Sequence, residues 1–574
     1  MTQALKIRDA DPALVEKSEA AFLGAAIGDA LGWPHEMRPR RTGQDQMGDL
    51  VYKDWTKRSG GRFQPYEERI AAGSYSDDTQ LILAIARCLS GDADHWWGRF
   101  AFQELPFWTL YERGGGGATK RSATSWMSGN PPWKGKEEDV RRYFEAGGNG
   151  VAMRILPHCI VLADSDDFEP VARNVLADGV ATHGHPRALL GALLYAFALW
   201  TALRHRGTLA FGELVAQALS SIDIWSRLPA IEPFWPDWSP GVAPASYHRV
   251  WEETVHEQVQ LLELAMRAIE AGAASFDEEC LENLGCFDKR VNGSGTVTAA
   301  GALYLASRHA ADPGEGLRVA ALARGADTDT LASMTCALLG AAVGSAWLGQ
   351  YLEALQDRDA LVGAARQLLR IQPSPAELSR QRVSRASIAS FKAQLREQGS
   401  GPMRLPIGID AQVEPWDGLN AKGPAIEARG WVARAETGQT FFIKIFSRET
   451  KPSAPLFERH GADRDTNLSV RLAVTDLGKS RRFYEDALGL QVNREGARAL
   501  SFGRALAISA EDPDQVSPGS ILLYIEVSDL ALRFDRLHAG GAHILSEIAV
   551  RADRRHFRCA DPDGYRLELY EKIR

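Results

Sequence analysis

Long apolar stretches, separated by short polar segments, occupy most of the first 370 residues of the chain. The first begins with the typical signals of a helix start, a capping Asp11 followed by Pro12. Apolar residues recur in several further stretches at helical spacing or as nearly uninterrupted runs: 20–31, 81–89, 187–203, 250–274 and 331–348. Such helices bury most of their surface against one another, so the pattern predicts an all-α orthogonal helical bundle over residues 1–370.

The pattern changes to β towards the end of the chain. Residues 468–489 have the pattern of a strand, a turn and a helix, and residues 521–541 repeat that order. This internal repeat predicts a separate α+β domain over residues 466–574. The segment between, residues 371–465, is predicted to be a linker with one small β-hairpin, in which residues 430–435 pair with 440–446.

Composition limits the class of protein. The chain has 574 residues, 45% of them hydrophobic and 24% charged, which is typical of a folded multi-domain protein. A net charge of −8 argues against a general nucleic-acid-binding surface. The six cysteines include no Cys-x-x-Cys pair, and charges occupy the N-terminus where a signal peptide needs its apolar core. We therefore expect a cytoplasmic protein with no membrane-spanning segment.

Two acidic motifs stand directly before apolar helices. One is Ser76-Asp77-Asp78-Thr79, and the other contains Asp327, Asp329 and Thr330. Each alone is readily explained as an ordinary helix N-cap. If the two meet, however, four carboxylates need hard cations between them, and a set of oxygen ligands favours Mg²⁺, Mn²⁺ or Ca²⁺ over zinc.

Three other segments are candidates for substrate contacts. The run Gly114–Gly117, which leads into Lys120 and Arg121, suits either a phosphate cradle at a helix N-terminus or a plain flexible loop. Residues 147–150 form a Gly-Gly-Asn-Gly turn before Met153 and Arg154. His183 and His185 flank Gly184, but no cysteine or third histidine stands near them to complete a zinc site. Glu36, by its position alone, is better explained as a solvated surface residue.

Residues 20–349 together resemble the ADP-ribosylglycohydrolase family, of the dinitrogenase-reductase-activating type. Five motifs carry the resemblance, at residues 28–36, 73–79, 148–154, 182–186 and 325–330. Two positions depart from the family pattern, because Ser76 stands where Thr is more frequent and Ala326 where a second Gly is usual.

The resemblance implies roles for particular residues. The metal ligands that it implies are Ser76, Asp77, Asp78, Asp327, Asp329 and Thr330. They would hold one or two Mg²⁺, with Mn²⁺ as the alternative ion. Glu36, Asp77 and Asp78 would be the catalytic residues, with Glu36 acting as a base or orienting the substrate. The substrate-binding residues would be Gly115, Gly116, Gly117, Gly148, Asn149, Gly150, Met153 and His183.

The last hundred residues resemble the glyoxalase and bleomycin-resistance proteins of the vicinal oxygen chelate superfamily. The repeat and the closing segment 561–570 carry this resemblance, which implies two βαβββ units. Metal-using members carry a histidine near the start of each repeat-opening strand, where this chain has Ser469 and Leu522, so that only Glu568 stands at a ligand-like position. We expect no active metal centre here, but ligand binding, a structural role or homodimerisation.

The sequence thus predicts a Mg²⁺-dependent hydrolase that removes ADP-ribose from a protein, nucleic acid or small molecule by cleaving the bond at the ribose anomeric carbon. Two alternatives stay open. The same pocket could bind ADP-ribose without catalysis, or the helical domain could regulate chemistry in the C-terminal domain. The acceptor atom leaves no signature, because arginine, serine, nucleobase and metabolite conjugates share the ADP-ribose half.

Overall fold

The computed structural model of the protein describes residues 11–36, 38–40, 50–60, 65–91, 93–238, 247–372, 381–422, 426–448, 470–496, 498–502, 506–510, 522–527, 529–551 and 554–572. The chain divides into two compact units, Met1–Lys451 and Pro452–Arg574. The predicted helical domain is confirmed in the first unit, and an α+β domain forms the second.

The first unit contains eighteen α-helices in the described part of the chain. Their bounds are α1 Pro12–Gly32, α2 Asp77–Gly91, α3 Trp96–Arg99, α4 Leu105–Trp108, α5 Gly117–Met127, α6 Glu137–Phe144, α7 Leu156–Val161, α8 Glu169–Val180, α9 Pro186–Arg204, α10 Glu213–Ser220, α11 Ile222–Trp225, α12 Tyr247–Glu270, α13 Asp277–Asn283, α14 Gly295–Arg308, α15 Pro313–Leu322, α16 Thr328–Val343, α17 Arg358–Leu368 and α18 Arg385–Gln398. Helix α9 is apolar and long enough to cross a bilayer, but 83% of its most apolar window is buried within the protein.

Helices α1 and α16 pack against each other at the centre of the bundle. Gly24, Gly28 and Gly32 lie one turn apart on α1, where an added Cβ would stand 2.2–2.4 Å from a carbonyl oxygen of α16. Only residues without a side chain permit this approach. The contact brings the C-terminal end of α1 beside the N-terminal end of α16, where Thr328 Oγ1 donates to Gly32 O at 2.9 Å.

The Gly28→Ala variant is expected to lower the free energy of unfolding by about 1–3 kcal/mol or more, since its methyl group would overlap the α16 backbone. Gly363→Ala, in helix α17, is the matched control, because no heavy atom lies within 4 Å of the added Cβ. That control should be neutral or stabilise by up to about 1 kcal/mol. Thermal and denaturant unfolding measure both. Equal stability of the two variants would contradict the close approach of α1 and α16.

The first unit also contains β structure. Its strands are β1 Trp55–Ser59, β2 Tyr66–Ile70, β3 Gly401–Arg404, β4 Asp410–Trp416, β5 Leu419–Ala421, β6 Ile426–Ala435 and β7 Thr440–Arg448. Strands β1, β2 and β5 form one antiparallel sheet, and β3, β4, β6 and β7 form another in the order β3-β4-β6-β7. The predicted hairpin is β6–β7, with Arg434 opposite Thr440 and Gly430 opposite Lys444.

The prediction of a linker over 371–465 is wrong for its described residues. Residues 381–422 and 426–448 supply α18 and five strands, and they belong to the first unit. Alternate residues of β4 are buried, and Phe441, Ile443 and Ile445 of β7 are at most 1% exposed. The sheet is therefore part of the core that the helices form, and the predicted boundary at residue 370 falls inside this unit.

The second unit consists of two similar modules. The first contains β8 Val470–Val474, α19 Leu477–Arg481, β9 Val492–Gly496, β10 Ala499–Phe502 and β11 Leu506–Ala510; the second contains β12 Leu522–Glu526, α20 Leu530–Ala539, β13 His543–Ile544, β14 Ala549–Arg551, β15 Arg554–Ala560 and β16 Arg566–Lys572. In each module the first strand pairs parallel with the last. This arrangement confirms the predicted repeat. Ser469 lies outside the described residues.

Candidate metal and substrate site

The first acidic motif is held by a buried carboxylate of α1. Asp29 is fully buried and accepts hydrogen bonds from Ser76 N at 2.9 Å, Thr79 N at 3.0 Å and Thr79 Oγ1 at 2.7 Å. It therefore caps the N-terminus of α2 from a neighbouring helix. Because Asp29 satisfies these backbone groups, the side chains of Asp77 and Asp78 are not needed as caps.

The second acidic motif begins α16. Asp327 is half-buried and accepts a hydrogen bond from Asn149 Nδ2 at 2.9 Å. Asp329 is 4% exposed, and its Oδ1 accepts from Thr330 N at 3.0 Å. Asn292 Nδ2 donates to Gly325 O at 3.0 Å and so holds the turn before the helix. These bonds restrain both carboxylates and the turn that carries them.

The structure brings the two motifs together. Thr330 Oγ1 lies 3.3 Å from Asp78 Oδ2, and Ser76 Oγ lies 3.5 Å from the same oxygen. The other oxygen of Asp78, Oδ1, is buried and has no hydrogen-bond partner. Carboxylate oxygens of Glu36, Asp327 and Asp329 all lie within 4.8 Å of one another.

This donor set fits a divalent cation. All the donors are oxygens, most are buried, and one of them is an orphaned carboxylate oxygen, which is costly to bury without a counter-charge. Hard cations such as Mg²⁺ prefer such ligands. Glu36 enters the same cluster, so it lies at the site rather than on a solvated surface.

Four carboxyl groups of the site have raised pKa values: Glu36, Asp77, Asp78 and Asp329. Burial, then the charge of Asp327, raises the pKa of Glu36 to about 7, although Lys57 opposes the shift. Burial also raises the pKa of Asp77, Asp78 and Asp329 well above the ordinary value, and neighbouring carboxylates add to each shift. Without a cation the folded protein therefore retains protons that the unfolded chain would release.

The metal-free protein is expected to lose stability as pH rises from about 4.5 to 7 and beyond. In that range the unfolded chain releases protons that the folded cluster retains, because the folded pKa of Glu36 is about 7 and those of the buried aspartates are also raised. Melting temperatures in EDTA at several pH values measure this loss, and excess Mg²⁺ should reverse most of it. A metal-free melting curve that is independent of pH would contradict the clustering of these carboxylates.

A wall of the site consists of the predicted glycine and histidine segments. Gly116 precedes α5 and Gly117 is its first residue, and both are exposed, whereas Gly115 is buried against Trp108. Gly148 bridges Ser294, and Asn149 joins this wall to Asp327.

His183 and Met153 lie further inside. A Cβ added at Gly150 would stand 3.1 Å from the His183 ring and 3.3 Å from Thr119 Oγ1. His183 is 3% exposed, its Nδ1 lies 2.7 Å from Thr182 Oγ1, and burial lowers its pKa to about 3, with Arg154 and Arg121 adding to the shift. It is therefore neutral at physiological pH. Met153 is 5% exposed and packs in the core behind this wall.

A basic groove of about 650 Å³ adjoins the same wall along α5. We define it by its six cationic side chains: Lys120, Arg121, Lys134, Lys136, Arg142 and Arg385. Asp139 is the only acidic residue among its described lining residues, although Lys134 and Arg142 pair with acids outside it. Thr182, next to His183, also lines the groove. A positive surface beside an acidic cluster suits a ligand that carries phosphates.

Asp29 and Lys57 are site residues that the sequence did not single out. Asp29 is the only charged residue between Ala20 and Leu31, and an acid in so apolar a helix is itself a signal. Lys57 Nζ lies 4.7 Å from the centroid of the Trp33 ring, and its charge partly opposes the rise in the pKa values of Glu36 and Asp77. It lies on β1, which has no sequence pattern that connects it to the acidic motifs.

Comparison with known proteins gives two sequence families. A family model described as ADP-ribosylglycohydrolase matches residues 10–377, and one described as Glyoxalase/Bleomycin resistance protein/Dioxygenase superfamily matches residues 468–569. Among individual proteins, the ADP-ribosyl-[dinitrogen reductase] glycohydrolase of Rhodospirillum rubrum is 29% identical over 189 residues, covering 30% of this chain and 54% of that protein. The ADP-ribosylarginine hydrolase Tri1 of Pseudomonas putida (strain GB-1) is 27% identical over 154 residues, covering 25% and 36%. The chain thus spans about half or less of the length of these two relatives.

Solved structures give similar matches for each unit. An ADP-ribosylglycohydrolase-related protein complex has 22% identity and a TM-score of 0.40, and the match covers 62% of this chain and 98% of that one. A glyoxalase-related enzyme from Fulvimarina pelagi has 22% identity and a TM-score of 0.17, with 19% and 89% covered. At these values the structural matches support no functional argument.

Proposed function

Because the chain belongs to the ADP-ribosylglycohydrolase family, we propose that its helical unit removes ADP-ribose from a modified acceptor by hydrolysing the bond at the ribose anomeric carbon. The observation that carries the proposal is the meeting of the two acidic helix N-termini, with Thr330 Oγ1 3.3 Å from Asp78 Oδ2. The family is metal-dependent. We propose that Mg²⁺ is the ion, with Mn²⁺ as the alternative.

The residues proposed to hold the metal stand at or beside the N-termini of α2 and α16: Ser76, Asp77, Asp78, Asp327, Asp329 and Thr330. When bound, a divalent cation would neutralise the carboxylates and polarise oxygens of the ribose or of a water molecule. Asn149 orients Asp327, and Asp29 fixes the backbone that carries Asp77 and Asp78. The protein thus supplies a fixed set of oxygens and prevents their rearrangement.

Glu36 is the proposed base. In the hydrolysis, a water oxygen forms the new bond to the anomeric carbon, the acceptor leaves with the electrons of the broken bond, and the water proton passes to Glu36. Burial and Asp327 raise the pKa of Glu36 to about 7 in the metal-free protein, and a bound cation would lower it, which leaves Glu36 ionised and able to accept a proton at neutral pH. Lys57, which lies beside it, favours the ionised form that can accept the proton.

The basic groove and the N-terminus of α5 are proposed to bind the adenosine diphosphate part. Backbone N–H groups at a helix N-terminus favour anions, and Lys120 and Arg121 stand in the first two turns of the same helix. Neutral His183 and the Gly148–Gly150 turn would contact the ribose and phosphates between the groove and the carboxylates. Acceptors attached through the anomeric carbon would then extend away from this groove.

A panel of conjugates tests the proposed function. Purified full-length protein is incubated with ADP-ribosylated arginine, serine, nucleobase and small-molecule substrates, with Mg²⁺ or with EDTA, and released ADP-ribose is measured by chromatography. Release from one class with Mg²⁺ alone identifies the acceptor. If the protein binds ADP-ribose but releases it from no conjugate, the non-catalytic alternative holds instead.

For the second unit we propose a role in assembly or ligand binding. Glu568 is 7% exposed and its carboxylate pairs with Arg558 Nε at 2.7 Å, so a cation already neutralises the carboxylate that the superfamily would use. The proposed partners are an ADP-ribosylated substrate and a second copy of the chain. The proposed location is the cytoplasm, which suits six cysteines that are all buried and unpaired.

Removal of residues 460–574 is expected to leave hydrolysis within about threefold of the full chain, since every proposed catalytic and metal-binding residue belongs to the first unit. Activity, circular dichroism and light scattering of the truncated protein check this. A soluble, folded truncation that is inactive on every conjugate the full chain cleaves would overturn the expectation. Loss of a dimer without loss of activity would assign assembly to the second unit.

A further inference from the structure

The segment that follows the family match contributes buried side chains that bond to elements next to the acidic site. The family match ends at residue 377, whereas the first unit continues to residue 451. Strand β7 hydrogen-bonds directly to the loop after α4, because Lys444 N donates to Leu110 O at 2.9 Å. That loop, residues 109–116, contains the start of the glycine run and contacts the first acidic motif.

Lys444 is the only buried cation among the described side chains of this added segment. Its side chain is 5% exposed, and Nζ donates to Glu68 Oε2 at 3.0 Å and to the carbonyl oxygen of Glu112. Glu68 is 1% exposed and also accepts from Arg113 Nε at 2.7 Å. One buried carboxylate is thus shared by two buried cations, one from the loop and one from β7.

Arg113 connects this ion group to the metal site. Its carbonyl oxygen accepts a hydrogen bond from Asp77 N at 2.9 Å. Its guanidinium carbon lies 3.6 Å from the ring centroid of Phe442, again a residue of β7. Next in the loop, Gly114 stands so close to Asp77 that an added Cβ would lie 2.9 Å from Asp77 Oδ1.

The same strand holds the opposite side of the acidic motif. Asp357 accepts hydrogen bonds from Thr440 N at 2.8 Å and from Thr440 Oγ1 at 2.7 Å, and it also accepts from Tyr75 Oη at 2.6 Å. Tyr75 immediately precedes Ser76. Strand β7 therefore reaches the acidic motif by two routes, through Asp357 and Tyr75 and through Glu68 and Arg113.

We propose that Lys444 is a positioning residue for the metal and diphosphate subsites, and that the functional unit of this enzyme extends to about residue 448. Lys444 fixes Glu68 and the Glu112 carbonyl, and these fix the loop that sets Asp77 on one side and Gly115–Gly117 on the other. Glu112 connects Lys444 to the glycine run, since the Glu112 side chain accepts a hydrogen bond from Gly115 N at 3.1 Å. The proposed function supplies the identity of the two ligands, a metal ion and a diphosphate. The contacts of Lys444 with Glu68 and Glu112 are observed independently of it.

The test uses Lys444→Met in the full chain, with Mg²⁺ and ADP-ribose as probes in calorimetry. The expected result is a dissociation constant for Mg²⁺ that rises about tenfold or more, as is usual when a group supporting a metal ligand is lost. Lys444→Arg, which keeps the charge and the donors, should recover most of the affinity. For conjugates that are cleaved, KM should rise more than kcat falls.

Lys422→Met is the matched control. Lys422 lies in the same added segment and pairs with Glu67 at 2.8 Å, next to Glu68 in sequence, but its side chain is 44% exposed. This variant should bind both probes within about twofold of the wild type, because exposed ion pairs contribute little. An equal loss in both lysine variants would mean that the effect is general to the sheet and would overturn the role of Lys444.

Phe442→Leu keeps the proposal testable if Lys444→Met does not fold. It removes the ring beneath Arg113 while leaving the charges in place, and a smaller rise in both dissociation constants is expected. Folded Lys444→Met or Phe442→Leu protein that binds Mg²⁺ and ADP-ribose as tightly as the wild type would overturn the proposal. Wild-type protein that binds both probes but cleaves no conjugate would contradict the proposed function alone.

Discussion

The Asp329→Asn variant is expected to lose turnover by roughly 10³-fold or more, the equivalent of several kcal/mol of charge stabilisation at the site. The Mg²⁺-dependent rise in melting temperature should shrink with it. The substitution changes little else, because Asn Oδ1 can still accept the hydrogen bond that Thr330 N donates at 3.0 Å. Without metal, the variant should be as stable as the wild type or more stable. In the metal-free wild type Asp329 either stays ionised beside other carboxylates, where two like charges about 4 Å apart repel by roughly 4 kcal/mol at an effective dielectric of about 20, or retains a proton, as its raised pKa indicates. Either state costs free energy that the Asn side chain avoids.

Calorimetry with Mg²⁺ and melting curves with and without Mg²⁺ provide the measurement. Asp359→Asn is the control, since the Asp359 side chain is 91% exposed at the start of α17 and lies outside the acidic cluster. The control should change neither metal binding nor rate. Unchanged Mg²⁺ affinity and stoichiometry in Asp329→Asn would mean that the two acidic helix N-termini do not share a metal.

The Glu36→Gln variant is expected to lower kcat by about 10²–10⁴-fold, the usual contribution of a general base. The metal-dependent stabilisation should remain, because Asp77, Asp78, Asp327 and Asp329 are unchanged. The rate of the wild type should rise as the base ionises with increasing pH, and the residual rate of the variant should lack that rise. Burial and Asp327 raise the pKa of Glu36 in the metal-free protein to about 7, and a bound cation would lower it.

The proximity of Glu36 to Asp327 and Asp329, with oxygens within 4.8 Å, gives this variant a second use. If Glu36→Gln loses the metal-dependent rise in melting temperature together with its activity, Glu36 binds the metal rather than acting as the base. If kcat is unchanged, the proposed base is wrong. Glu145→Gln, on a side chain that is 66% exposed, serves as the control.

Local patterns made much of the fold predictable. The apolar runs predicted the buried helices because the helices that position the site, such as α1, α9 and α16, have no polar face, and the repeat predicted the two modules of the second unit. Both acidic motifs stand at helix N-termini, where side chains point out of the helix body and can meet others. The metal-binding roles themselves stay a prediction.

Contacts between distant parts of the chain were not predictable from one sequence. Lys444 and Glu68 are 376 residues apart, and no local period connects them. Apart from the hairpin of β6 and β7, the sequence predicts no sheet over residues 401–448, because β3, β4 and β5 are short strands separated by Gly, Pro or polar residues. Their stability comes from burial of residues such as Phe441 and Ile443 against the helical unit. Asp29 was similarly hidden, since its role depends on the approach of α2.

Anomalous diffraction from crystals grown with Mn²⁺ tests the central claim most directly, namely that the two acidic helix N-termini form one divalent-cation site. The account predicts one or two peaks, with carboxylate oxygens from both the Asp77–Asp78 pair and the Asp327–Asp329 pair within about 2–2.5 Å of the ions. Absence of a peak at saturating Mn²⁺, or peaks bound by only one of the two pairs, would contradict it.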